Sequence, residues 1–204
     1  YNPGMTPQTT LYCGVSKDKG KSWKRIKIFG NVRASGLNPS IAVDSKDMPV
    51  IAYYADSGAN PQQYRAIHVS RPQGSDLNTS WKYTVLASVY TGLKALFYPT
   101  ISVDKKGTLC VIYVATEESP LDWPQWPKNL MCRHSSDGIN WSEPFHITEV
   151  QNGQFSPQAW PNLHWQTGSP VDTLLVIWDG KEENAQTPTQ PWYLRCFRSN
   201  TFNI

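Results

Sequence analysis

Trp123 and Trp126 sit in the segment from Thr116 to Pro127, where Pro124 and Pro127 each follow one of the two rings and stiffen the chain. Rings held this way present flat apolar faces at little entropic cost, the kind of surface on which the C–H face of a sugar ring stacks. The same segment carries Glu118 and Asp122, and comparable polar segments carry Arg33, Asp56, Tyr90 and Asp179. These are hydrogen-bonding and charged groups suited to orienting a polar ligand. The competing reading is that the two tryptophans cover the top of a neighbouring sheet and the carboxylates are simply solvated. His68, His134, His146 and His164 are scattered and the chain has no Cys-x-x-Cys, so neither a metal nor a cofactor is expected.

The elements that must position these groups are legible as a repeat. Ser16-Lys-Asp18-Lys-Gly20-Lys-Ser-Trp23 has the form of a self-contained hairpin corner: an Asp accepts bonds from its own turn, a Gly takes positive φ, and a Trp folds back as a plug. Asp76 to Trp81 keeps the Asp-to-Trp spacing, with Asn78 in place of Gly. Ser135, Asp137, Gly138 and Trp141 form a third copy that lacks one residue between Asp and Gly. The serines Ser16, Ser70, Ser135 and Ser199, each preceded by a strand-like run, recur at intervals of 54, 65 and 64 residues.

Two further patterns precede the later corners. One begins at Pro39, Pro99 and Pro161; the other comprises Val50–Tyr54, Leu109–Tyr113 and Leu174–Trp178. These short runs of β-branched and aromatic residues, bounded by Pro, Gly, Asp and Asn, predict strands, and no helical periodicity competes with them. With the strands of one unit called A, B, C and D, the chain reads C-D, A-B-C-D, A-B-C-D, A-B-C. Radially repeated four-stranded antiparallel sheets are β-propeller blades. The chain resembles the Asp-box (bacterial neuraminidase repeat) propellers, a sialidase-like family, from about Thr10 to Ser199. That resemblance implies an all-β fold, with residues 1–204 forming one propeller domain of about three and a half blades. It also implies structural roles for Ser16, Asp18, Gly20, Trp23, Asp76, Trp81, Ser135, Asp137, Gly138 and Trp141.

An antiparallel A-B-C-D unit sends its connections to two rims. The A–B turns and the boxes share one rim and are short. The B–C and D–A connections share the other, are long, and carry every candidate of the opening paragraph; long loops on a rigid scaffold are where binding residues concentrate. Sialidases, which the chain resembles, grip a substrate carboxylate with an arginine triad and use a Tyr–Glu nucleophile with an Asp acid/base. The family's Arg-Ile-Pro motif is absent, since Arg25-Ile26-Lys27 follows a box, so the resemblance carries no catalytic role to any residue.

Net charge is +3 with 17% charged residues, too mild and dispersed for a nucleic-acid partner. The run Lys17, Lys19, Lys21, Lys24, Arg25, Lys27 reads as a solvated edge. No apolar stretch approaches the roughly 20 residues of a membrane helix. Cys13, Cys132 and Cys196 occupy one repeat position in different blades and read as small buried hydrophobes; Cys110 with Cys132 is the one plausible bridge, between cross-strand neighbours that seldom bridge well. Three and a half blades fall short of a closed ring, so either a longer chain or self-association is expected to complete it. Three functions follow: a glycan-recognition module, which is the preferred reading, an exo-glycosidase of sialidase type of which this is part, or a docking subunit of a larger assembly. An extracellular or surface-exposed location accompanies the first two.

Overall fold

The computed structural model describes residues 10–29, 35–55, 66–88, 95–116, 129–148, 158–166, 173–180 and 193–199. Among them the regular elements are all strands: β1 (Leu11–Val15), β2 (Lys24–Phe29), β3 (Ser35–Val43), β4 (Pro49–Ala55), β5 (Ala66–Pro72), β6 (Trp81–Ser88), β7 (Ala95–Val103), β8 (Leu109–Thr116), β9 (Asn129–Ser135), β10 (Phe145–His146), β11 (Gln158–Gln166), β12 (Thr173–Gly180) and β13 (Tyr193–Ser199). They form four antiparallel sheets, β1-β2, β3-β4-β5-β6, β7-β8-β9-β10 and β11-β12-β13. The first strands β3, β7 and β11 lie beside one another, so the sheets fan out from a shared inner edge. Ser40 on β3 marks that edge: its hydroxyl accepts the Ile101 N–H of β7 at 3.1 Å.

The second strand of each full blade explains why the sheets stack. Along β4, Val50 and Ala52 enter one apolar layer with β8, while Ile51, Tyr53 and Ala55 enter another with Leu11, Cys13 and Ile28 of the β1-β2 ribbon. Along β8, Leu109, Val111, Tyr113 and Ala115 face the β3–β6 blade, and Cys110, Ile112 and Val114 face Leu174 and Val176 of β12. Side chains alternate across a strand, so a run that is apolar at every position must be covered on both faces. Continuous apolar runs usually mark parallel sheets; here an antiparallel strand has the same requirement because blades lie on either side of it.

Two arginines fasten the middle blades. Arg133 on β9 donates from Nε to the Ser142 carbonyl at 2.6 Å and from Nη1 to the Leu86 carbonyl of β6. Arg71 on β5 donates to the Asp137 carbonyl in the turn of the next blade.

The first strand of each blade begins earlier than the prolines suggest. β3, β7 and β11 start upstream of Pro39, Pro99 and Pro161 and pass through an irregularity in register at those positions. Asn38 and Tyr98, just before the first two prolines, have φ of 49° and 50°. A bulge is where a strand tolerates a residue without an N–H, so pairing resumes on the far side. The D–A connections are correspondingly shorter than expected, since Ser35, Ala95 and Gln158 already belong to strands. Asp179 is likewise not a loop residue: it lies on β12, opposite Ala159 of β11 and Leu194 of β13.

Cys13, Cys110 and Cys132 are buried free thiols. The Cys110 and Cys132 sulfurs lie 3.1 Å apart, and burial pushes the Cys132 thiol well up.

Candidate functional site

The topology separates two rims. At one end lie Ala55 paired with Ala66, Ala115 with Asn129 and Gly180 with Tyr193, the strand ends between which the B–C connections run. Phe29, Ser88 and Ala95 mark the D–A connections at the same end. Arg33, Asp56, Tyr90, Glu118, Asp122, Trp123 and Trp126 belong to these connections and lie outside the described residues. Asp179 belongs to this end of β12 by its backbone register. Among the described residues no group of three His, Cys, Asp or Glu side chains could hold a metal ion.

Among the described residues, the opposite rim is built of tight turns closed by their own side chains. In the first, the Asp18 carboxylate accepts the Ser22 N–H at 2.8 Å and the Ser16 hydroxyl at 2.8 Å, and the Ser16 hydroxyl accepts the Gly20 N–H at 2.7 Å. Lys19 and Gly20 take φ of 59° and 88°. In the third, Asp137 accepts the N–H groups of Ile139 and Asn140, both at 2.8 Å, and Gly138, at φ 69°, donates to the Ser135 hydroxyl at 2.8 Å. The second turn closes differently. Asp76 accepts the backbone N–H of Asn78 at 2.9 Å and its side-chain amide at 2.7 Å, and Asn78 is not among the residues with positive φ. The A–B turns repeat the logic: Asp44 accepts Lys46 and Met48, and Asp104 accepts Lys106 and Thr108, with Asp47 and Gly107 at φ 58° and 88°.

The tryptophans of the three turns have different surroundings. Trp141 packs against the layer between the two full blades, and Trp81 against the layer beneath β1-β2 while donating to the Leu77 carbonyl at 3.2 Å. Trp23 lies over Gly14 and donates to the Gly20 carbonyl at 3.1 Å, yet it is 67% exposed, so it covers its own turn without plugging a core. It stands on the outer face of the β1-β2 ribbon, where Arg25 stacks over Tyr12 at 4.6 Å.

Bonds to these carboxylates set their protonation. The Ser22 hydroxyl and N–H hold Asp18 down to about 2, and the N–H groups of Asn140 and Ile139 hold Asp137 well below the carboxylate range. A carboxyl depressed in the fold contributes stability that is complete above its unfolded value of about 4 and fades as pH falls through the folded value. Denaturant midpoints are therefore expected to drop between about pH 4 and pH 2. Substituting both Asp18→Asn and Asp137→Asn should lower the midpoint at pH 7 and flatten that slope; an unchanged slope would remove these carboxyls as its source.

No family model matches this chain, and no curated protein does. Solved structures do. An α-L-arabinanase of Penicillium chrysogenum, complexed with arabinobiose, aligns over 97% of this chain with a TM-score of 0.61 at 16% identity. The Hadza microbial sialidase Hz136 aligns over 80% with a TM-score of 0.55 at 19% identity. The chain has a sialidase-like β-propeller fold. A polysaccharide lyase, the PL25 ulvan lyase, aligns with this propeller over 93% of the chain with a TM-score of 0.59 at 11% identity. The propeller spans 56% of the arabinanase, 35% of the sialidase and 46% of the lyase. Identities this low establish architecture alone.

One grouping at the turn rim escaped the linear reading. Lys17 from the first turn and Lys24 at the start of β2 meet Lys46 from the A–B turn of the next blade around one cleft. No spacing in the sequence announces it, because the three turns join only through blade packing.

Proposed function

We propose that this propeller recognises a glycan at its loop rim, as a carbohydrate-binding module of Asp-box type. The observation that carries the reading is the segregation of connections: among the described residues, turns closed by their own side chains occupy one rim, while the strand ends flanking the long B–C segments 56–65, 117–128 and 181–192 occupy the other. A rigid stack bearing variable loops on one side suits ligand binding. The arabinanase, the sialidase and the lyase are proteins of this architecture named for action on carbohydrates, which supports a saccharide as the ligand class. In this reading Trp123 and Trp126 stack on sugar rings, and Arg33, Tyr90, Asp56, Glu118, Asp122 and Asp179 supply polar contacts. An extracellular or surface setting, where such ligands occur, goes with it.

The test is a glycan array with the purified chain, repeated with Trp123→Ala and Trp126→Ala. Each substitution is expected to weaken binding by about tenfold or more while the melting temperature stays put, since aromatic anchors dominate such contacts. Binding untouched by both changes would remove the assignment.

The same neighbours favour a second reading, in which a longer protein containing this propeller cleaves the glycan it binds. Release of reducing sugar or of an unsaturated product from the array's best ligand would support it. Intact ligand after prolonged incubation with the longer protein would restrict the function to binding.

A further inference from the structure

A cleft of about 550 Å³ opens at the turn rim, bounded by the turns β1–β2, β3–β4 and β5–β6. Its floor is aliphatic, with half-buried Val15 and Ile26 of the ribbon, Met48 of the A–B turn and Leu77 of the β5–β6 turn. Lys17, Lys24 and Lys46 stand around it, all exposed. The Lys24 ammonium reaches across and donates to the Asn78 side-chain oxygen at 2.6 Å, bridging two blades. Two carboxylates also line the cleft. Asp76 is committed to the N–H and amide of Asn78, which hold it below the carboxylate range with help from Lys24 and Lys17. Asp47 sits at the turn tip with φ of 58°.

We propose that this cleft is a binding site for an acidic saccharide unit, one bearing a carboxylate or sulfate group. The volume falls within the roughly 300–1,000 Å³ typical of small-ligand sites and accommodates about two sugar rings. An aliphatic floor matches the C–H face of a sugar and offers no aromatic ring on which a nucleobase would stack. Three ammonium groups at the rim match a fixed anionic group through charge-assisted bonds. Asp47 and the hydroxyls of Ser22 and Ser75 suit sugar hydroxyls. A bare anion would meet only the lysines and forgo the floor. The site lies at the rim opposite the strand ends Ala115 and Asn129, so it stands or falls independently of the loop-rim reading.

Titration calorimetry on the chain carrying Trp123→Ala and Trp126→Ala isolates this cleft from the loop rim. The probes are a chondroitin sulfate tetrasaccharide, a hyaluronan tetrasaccharide with carboxylates alone, neutral cellotetraose and sodium sulfate. At least one acidic tetrasaccharide is expected to bind at least about tenfold more tightly than cellotetraose or sodium sulfate; whichever is tighter identifies the preferred anionic group. Adding Lys17→Gln with Lys46→Gln should weaken it by about tenfold, because neither side chain takes part in closing a turn, while Lys106→Gln on the next blade should change nothing. Three results would overturn the proposal: no binding of either acidic probe, equal loss in the Lys106→Gln control, or sulfate binding as tightly as the saccharide.

Discussion

Leu130→Ala is expected to destabilise the chain by about 2–5 kcal/mol, the range for truncating a large buried aliphatic residue. Leu130 is wholly buried on β9, opposite Val114 of β8, in the layer it shares with Ile112, Cys132 and, from the neighbouring sheet, Leu174 and Val176. Sheets on both sides of that layer are held by their own ladders, so little can move in to fill the space. Backbone bonds tie the position further: the Leu130 N–H donates to the Thr148 hydroxyl at 2.9 Å and its carbonyl accepts the Ile147 N–H at 2.7 Å. Urea denaturation should show a lower midpoint with an unchanged slope. A loss below about 1 kcal/mol would mean that the layer between the last two sheets collapses easily, contrary to close packing on both faces of β8.

Gly138→Ala is expected to cost about 1–3 kcal/mol by a different route, through the backbone and not through apolar area. Gly138 is buried at φ 69°, and a Cβ there would stand 2.8 Å from Arg71 Nη1 and 3.1 Å from Leu109 Cδ1. An alanine therefore meets the left-handed penalty and pushes aside the guanidinium that fastens β5 to the Asp137 carbonyl. The flexible Arg71 can swing away, but doing so gives up that inter-blade bond. Ile139→Ala in the same turn is the control: Ile139 is 56% exposed, so its truncation should change stability by less than about 0.5 kcal/mol. Equal effects of the two substitutions would show that the turn matters only as a surface loop.

The repeat was readable from the chain because its signals are local. A carboxylate bonding N–H groups two to four residues away, as Asp18, Asp44, Asp104 and Asp137 do, needs nothing beyond its own turn. Strand runs such as Val50–Tyr54 and Leu109–Tyr113 likewise declare themselves by residue type. From turns and strands in fixed order, the A-B-C-D unit and the division into two rims follow by antiparallel connectivity alone.

Strand limits near prolines were less legible. Pro39 and Pro99 look like starting points because proline gives a ladder no donor, yet bulges at Asn38 and Tyr98 let the pairing continue past them. The second turn misled in a similar way: Asn78 occupies a glycine's place in the spacing but works through its amide, bonding Asp76 and receiving Lys24.

The sequence by itself determined the existence of the strands, their order within a blade, the chemistry of the first and third box turns and the side on which the long B–C connections fall. Each of these depends on residues close together along the chain. Tertiary structure alone decided which layer each face of β4 and β8 enters, why Trp23 stays exposed while Trp81 and Trp141 pack, and how Lys17, Lys24 and Lys46 come around one cleft. Lys24 and Asn78 are 54 residues apart and touch only because blades stack at a set spacing and angle, which no local pattern encodes.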